Sequence, residues 1–373
     1  MKKVAILTNG GDAPGLNAVI RAIVKTAETN GIECYGYIEG YKGLLNNNYI
    51  KLDSNGNASG IQDKGGTIIG TSNNTNVFNL KVQKEDGTFE YQDLSDKCVQ
   101  NVKEAGFDCI FTLGGDGTQK SSRDFCLKGV NCIGVPKTID NDVAHTETTF
   151  GFNTAVSVAV DALDRLHTTA SSHHRILTLE VMGRYAGWIA LESGIAGSAD
   201  CVLIPEIPYD INKVAEKIKQ RKAAGKEFSI VVVSEGAKPI GGELSVKKVL
   251  NDGAGLDNIR LGGAGEIVAD QLEKLTGMES RNTVLGYVQR GGKPTAFDRV
   301  LSTKYGVKAM ELAMQGIFKV LVTYKGGEMG YVDLDEVVGK DAKVGAASSK
   351  NRPIPLDHDL INIARELGMC LGD

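Results

Sequence analysis

Short apolar runs recur along the chain, and each opens into glycine or a charged turn. Val4–Leu7 leads into Gly10-Gly11, and Cys109–Leu113 into Gly114-Gly115-Asp116-Gly117. Cys132–Val135 leads into Pro136-Lys137, Ile176–Val181 into Met182-Gly183-Arg184, and Ile230–Val233 into Glu235-Gly236. Continuous β-rich apolar runs, without alternation, predict strands covered on both faces, as in a parallel sheet. Helical periodicity fills the gaps: Leu16, Val19, Ile20, Ile23, Val24 and Ala27 recur at three- and four-residue steps. Strand, glycine loop and helix in alternation predict an α/β fold with doubly wound, mostly parallel sheets. Such sheets bind ligands outside the carboxyl ends of their strands. The glycine and lysine loops that follow these runs fall at that position.

With 373 residues the chain suits two Rossmann-like lobes better than one small core. The expected units are 1–150, 151–326 and a tail, 327–373, that packs back on the body. Polar residues 82–97 read as a surface loop or hairpin. Hydrophobic residues make up 42% and charged residues 24%, with a net charge of −4, which fits a soluble globular protein. That balance argues against nonspecific nucleic-acid binding as the main task. The seven cysteines form no C-x-x-C pair and read as buried reduced thiols, and the histidines lack zinc spacing. The first apolar run breaks at Asn9-Gly10-Gly11, too early for a signal peptide, and no apolar stretch reaches membrane-spanning length. The expected location is the cytoplasm.

Three loops carry chemistry. Gly10-Gly11-Asp12-Ala13-Pro14-Gly15 stands between a strand and a helix start, where free N–H groups favour an anion; a plain tight turn is the alternative. Gly114-Gly115-Asp116-Gly117-Thr118 is more specific. Its glycines admit a polyphosphate, Thr118 adds a donor, and Asp116 suits Mg²⁺ held by one carboxylate. Pro136-Lys137-Thr138-Ile139-Asp140-Asn141-Asp142 sets two carboxylates beside a lysine. Phosphoryl transfer needs a base near the accepting hydroxyl and cations on the moving charge. Asp140 fits the base, Asp142 an orienting or metal-linked role, and Lys137 charge neutralisation. A calcium loop or polar turn is the other reading, and EF-hand spacing is absent. Arg175 precedes one strand and Arg184 follows it; Arg281 and Arg290 flank Val284–Gln289, read as a strand. Arginine forks suit a phosphate dianion.

Taken together these runs resemble the phosphofructokinase family. The matching segments are Gly10–Asn17, Gly114–Thr118, Pro136–Asp142, Arg175 with Met182-Gly183-Arg184, and Val288–Gly292 with Asp298-Arg299, in family order over about residues 1–310. The resemblance implies transfer of a phosphoryl group from ATP to the 1-hydroxyl of fructose 6-phosphate. It implies donor contacts from Gly11, Asn73, Gly115, Asp116, Gly117 and Thr118, with Asp116 on Mg²⁺. Asp140 would be the base, with Lys137 and Gly117 in the catalytic set. Thr138, Ile139, Asp142, Met182, Gly183, Arg184, Glu235, Tyr287 and Arg290 would line the sugar-phosphate pocket. Arg175 and Arg281 would reach the substrate of a neighbouring subunit, which requires a homodimer or homotetramer.

Donor choice divides the family. Gly117 resembles the ATP type, since an Asp there would occupy the α-phosphate position. Lys137 resembles the pyrophosphate type, and Asn73 stands where ATP enzymes usually carry Arg. This mixed pair resembles the family's mixed-substrate group, so pyrophosphate is the alternative donor. Tyr287 replaces a frequent His. Arg21 and Lys25 match part of the usual effector site. The Gly-Gly-Asp-Gly-Thr run also occurs in NAD and lipid kinases, which lack the Pro136–Asp142 and Met182–Arg184 runs.

Overall fold

The computed structural model describes residues 1–73, 75–84, 86–249, 259–339 and 351–373. Of the expected tail, 340–350 lies outside the described residues, as does Glu85 of the 82–97 segment. The first half runs β1 (Lys3–Thr8), α1 (Leu16–Thr29), β2 (Glu33–Tyr37), α2 (Tyr41–Leu45), β3 (Tyr49–Leu52), β4 (Leu80–Gln83), β5 (Phe89–Gln92), α3 (Ser95–Ala105), β6 (Cys109–Gly114), α4 (Asp116–Leu127) and β7 (Cys132–Pro136). Then follow α5 (Phe152–His173), β8 (Ile176–Val181), α6 (Trp188–Ala196), β9 (Cys201–Leu203), α7 (Ile211–Ala223), β10 (Ser229–Ser234), β11 (Val246–Val249), β12 (Ile259–Leu261), α8 (Ala264–Thr276) and β13 (Ser280–Val284). The chain closes with α9 (Ala296–Met314), β14 (Val320–Lys325), β15 (Glu328–Asp333), α10 (Leu334–Val338) and α11 (Asp359–Glu366).

Two sheets result. The larger has the order β15-β14-β7-β6-β1-β2-β3, parallel except for its two edge strands. The smaller, β13-β8-β10-β9, is parallel throughout. Every residue of β6, β8 and β10 is buried, because helices cover both faces. The apolar stripe of α1 packs on β1 and β6, and α9 lies across it: Gly306 sits so close that a Cβ would come 2.7 Å from the Ala22 Cβ. The expected hairpin forms as β4 and β5.

The chain does not fill the lobes in consecutive segments. After building the smaller sheet it crosses back, and β14 and β15 join the larger one. Residues 351–373 return to the other side, where Ile354, Ile361, Ala364 and Leu371 pack with Trp188 and Leu191. No helix among the described residues is long and apolar enough to cross a membrane.

Candidate active site

Three loops at the carboxyl ends of β1, β6 and β7 converge. These strands are adjacent and parallel, in the order β7-β6-β1, so their ends lie side by side. The Lys137 N–H donates to the Gly114 carbonyl at 3.0 Å, and its ammonium donates to the Gly11 carbonyl. Gly10 has φ +80°, a backbone that a side chain would strain. Gly115 is the residue before α4, and Asp116 opens the first turn, where a carboxylate and any bound anion meet the positive helix end. Thr118 folds back over Gly114, where a Cβ would meet its Oγ1 at 2.2 Å. Asn73 is exposed, close to the Gly10-Gly11 loop: the Thr71 hydroxyl donates to the Gly10 carbonyl at 2.6 Å, and the Gly10 N–H to the Ser72 carbonyl at 3.0 Å.

After β7 the chain makes a stapled loop. The Asp140 N–H donates to Thr138 Oγ1 at 3.0 Å, and the Thr149 N–H to Asn141 Oδ1 at 3.0 Å. Ile139 is fully buried and anchors the loop in the core of the smaller lobe. Asp140 Oδ1 is buried with no hydrogen-bond partner among the described residues. Such an atom is costly unless a ligand satisfies it.

From the other sheet come the loops after β8 and β10. The Met182 N–H donates to Gln289 Oε1 at 2.8 Å. Gly183 has φ +134°, and a Cβ there would strike the Ala186 carbonyl at 2.7 Å, so the position excludes a side chain. Its carbonyl accepts from the Ser234 hydroxyl at 2.5 Å, and the Glu235 N–H donates to the Val181 carbonyl. Arg184 is half-buried beside Tyr185. Arg290 reaches across both lobes: its Nη1 donates to the Asp12 carbonyl at 3.2 Å and lies where a Gly11 Cβ would be, 2.4 Å away.

The electrostatics join these groups into one cluster. Burial pushes Lys137 down to about 7; Arg290 acts the same way, while Asp12, Asp140 and Asp142 oppose it. An anion bound there would restore its charge. Burial raises Asp140, with Arg290 and Lys137 opposing. Burial raises Asp142 to about 7, helped by Asp140 and Asp116. Glu235 rises to about 7 through burial, with Asp140 and Glu180 adding. Several titratable groups driven from their ordinary ranges and acting on one another mark a functional site.

The structure thus gathers Gly11, Gly115, Asp116, Gly117, Thr118, Lys137, Thr138, Asp140, Asp142, Met182, Gly183, Arg184, Glu235 and Arg290. Two expected residues, Arg175 and Arg281, stand elsewhere, and Tyr287 lies exposed in the turn that carries Gln289 and leads to Arg290. Arg175 lies just before β8, and Arg281 is the second residue of β13, at the amino ends of those strands. Tyr287 is 74% exposed. The strand read over Val284–Gln289 is instead the last residue of β13 and a 3-10 turn, Gly286–Gln289. Gly286 at φ +50° ends the extended run. The apolar residues there are surface, with Val284 56% and Val288 63% exposed. Two residues without a prior role enter the cluster. Asp12 faces Lys137, and Gln289 is fully buried with Nε2 unpartnered among the described residues. Both stood inside the quoted motif runs.

A family profile described as Phosphofructokinase matches residues 3–313. A protein of Clostridium perfringens named ATP-dependent 6-phosphofructokinase 2 is 53% identical, covering 100% of this chain and 99% of its own. The chain belongs to the phosphofructokinase family. Phosphofructokinase from Pichia pastoris superposes with a TM-score of 0.76 at 29% identity, over 90% of this chain and 35% of that longer one. The pyrophosphate-dependent phosphofructokinase of Nitrosospira multiformis gives a TM-score of 0.76 at 22% identity, covering 100% of this chain and 93% of its own, and shares the fold.

Proposed function

We propose that this protein is a 6-phosphofructokinase that transfers a phosphoryl group from ATP to the 1-hydroxyl of fructose 6-phosphate, giving fructose 1,6-bisphosphate. The observation that carries the reading is the buried, unpartnered Asp140 Oδ1, set between Lys137 and Arg290 beside the glycine loop of α4. The Clostridium relative's name supports ATP as donor.

Asp140 accepts the proton of the 1-hydroxyl as the oxygen attacks phosphorus. Lys137 and Arg290 hold the charge on the transferred group and the sugar phosphate. Gly11, Asn73, Gly115, Gly117 and Thr118 cradle the donor phosphates. Met182, Gly183, Arg184 and Glu235 orient the sugar, and the Gln289 amide is placed to bond it. Asp116 would hold Mg²⁺: its carboxylate is a hard oxygen donor close enough to Asp142 to act on it electrostatically. When bound, the ion neutralises phosphate oxygens.

The donor lobe comprises 1–150 with the returning strands β14 and β15, and the sugar lobe the smaller sheet. Arg175 and Arg281 complete the phosphate pocket of a partner subunit. The enzyme works in the cytoplasm. Pyrophosphate is the second reading, favoured by the Lys137 ammonium on the Gly11 carbonyl.

Initial rates with fructose 6-phosphate and Mg²⁺, with ATP and pyrophosphate side by side, test the reading. Turnover with ATP is expected. Turnover with pyrophosphate alone replaces the donor, and fructose 1,6-bisphosphate from neither refutes the activity.

A further inference from the structure

The loop that carries Asp140 is gripped from outside the matched family region. Arg352 lies beyond residue 313, where the family profile ends. Its Nη2 and Nε both donate to the Asn141 carbonyl, at 2.8 and 3.1 Å. The same Nη2 donates to the Glu147 carbonyl at 2.9 Å. The Arg352 N–H donates to the Asp142 carbonyl at 2.7 Å, and Asn351 bridges Val143. One residue therefore bonds the backbone at 141, 142 and 147.

Arg352 is itself held. Its guanidinium lies 4.4 Å from the centre of the Trp188 ring, and its carbonyl accepts from the Trp188 indole at 3.0 Å. Two residues on, the Ile354 N–H donates to Glu206, which also accepts from the Gly187 N–H at 3.0 Å. The clamp is thus fixed to the start of α6 in the smaller lobe.

The gripped carbonyl belongs to a special residue. Asn141, between Asp140 and Asp142, has φ +54°. A left-handed non-glycine residue costs of order 1–3 kcal/mol and persists only where its surroundings over-determine it. Thr149 holds its side chain and Arg352 its carbonyl.

We propose that Arg352 is a positioning residue for phosphoryl transfer, one that fixes the turn at Asn141 and so aims the Asp140 carboxylate. The proposal rests on Asp140 being the base. Arg352 acts through the loop and touches no substrate.

Four kinetic measurements test it. Arg352→Ala should lower kcat about 10- to 100-fold, the effect of a slightly misplaced catalytic group. KM for fructose 6-phosphate should stay within about threefold, the pattern of a loss felt in the transition state. Arg352→Lys keeps the charge but not the fork, and should recover only part of kcat. In an Asp140→Asn background, Arg352→Ala should change the residual rate less than about twofold, because residues acting through one group are not additive. If Asp140→Asn itself keeps the wild-type rate, the base assignment falls first. If Asp140→Asn is impaired while Arg352→Lys keeps wild-type kcat, or the Arg352→Ala loss persists in full in the double variant, the positioning role is overturned. Arg352→Lys also serves should Arg352→Ala fail to fold.

Discussion

The smaller sheet carries arginines at both ends, in opposite surroundings. At the carboxyl end, Arg290 faces Lys137, Asp140 and Glu235, groups displaced from their ordinary ranges, alongside Asp140 Oδ1 and Gln289 Nε2, buried with no hydrogen-bond partner among the described residues. At the amino end, Arg175 pairs with Glu279 at 2.7 Å, and Arg281 pairs with Glu279 at 2.5 Å and with Glu273 at 3.5 Å. Strand β8, six residues long, separates the ends by roughly 20 Å. One end is poised for a ligand and the other is satisfied. Exposed ion pairs contribute little, so an incoming phosphate dianion could exchange with Glu279 at small cost. Within a single chain, however, the two sets cannot hold the same phosphate. Roles for Arg175 and Arg281 in sugar-phosphate binding therefore require a partner subunit.

The comparison can be broken at either end. The largest effect is expected from Asp140→Asn, which should lower kcat about 10²–10⁴-fold, as loss of a general base does; steady-state kinetics and calorimetric binding of fructose 6-phosphate check it. Arg290→Ala should raise KM for fructose 6-phosphate and lower kcat/KM about 10- to 100-fold, the loss of charge-assisted hydrogen bonds. Arg281→Ala should raise the same KM about tenfold while leaving kcat near wild type. An unchanged KM would leave Arg281 as a surface ion pair only. The smallest effect concerns stability. Burial raises Glu235 to about 7, so the folded state favours its neutral form. That contribution is present at low pH and lost as pH rises through 7. Glu235→Gln should therefore raise Tm by roughly 2–4 °C at pH 8 and change it little at pH 4. An equal shift at both pH values would contradict the burial account.

Much of this was legible because the strands are short, continuous and flanked by glycine. β1, β6, β7, β8 and β10 each contain the apolar run that announced them. The Asp140 loop was legible from its chemistry, two carboxylates and a lysine in a short run. Three features were not. The return of β14 and β15 to the larger sheet is long-range pairing, on which local periodicity is silent. Val284–Gln289 looked like a core strand because Val, Leu and Tyr at a surface turn read as buried apolar residues do. Arg352 carries no local motif: its partners are backbone carbonyls some 200 positions away in the chain.

The most direct test of the central claim is the pH dependence of kcat/KM for fructose 6-phosphate, which reports ionisation of the free enzyme. A base must be ionised to accept a proton, so activity is present above its pKa and lost as pH falls through it. Burial raises Asp140, and the account therefore predicts an acid limb above the ordinary aspartate value of about 3.9. A rate that stays flat down to about pH 4 in protein still folded would contradict a buried aspartate base.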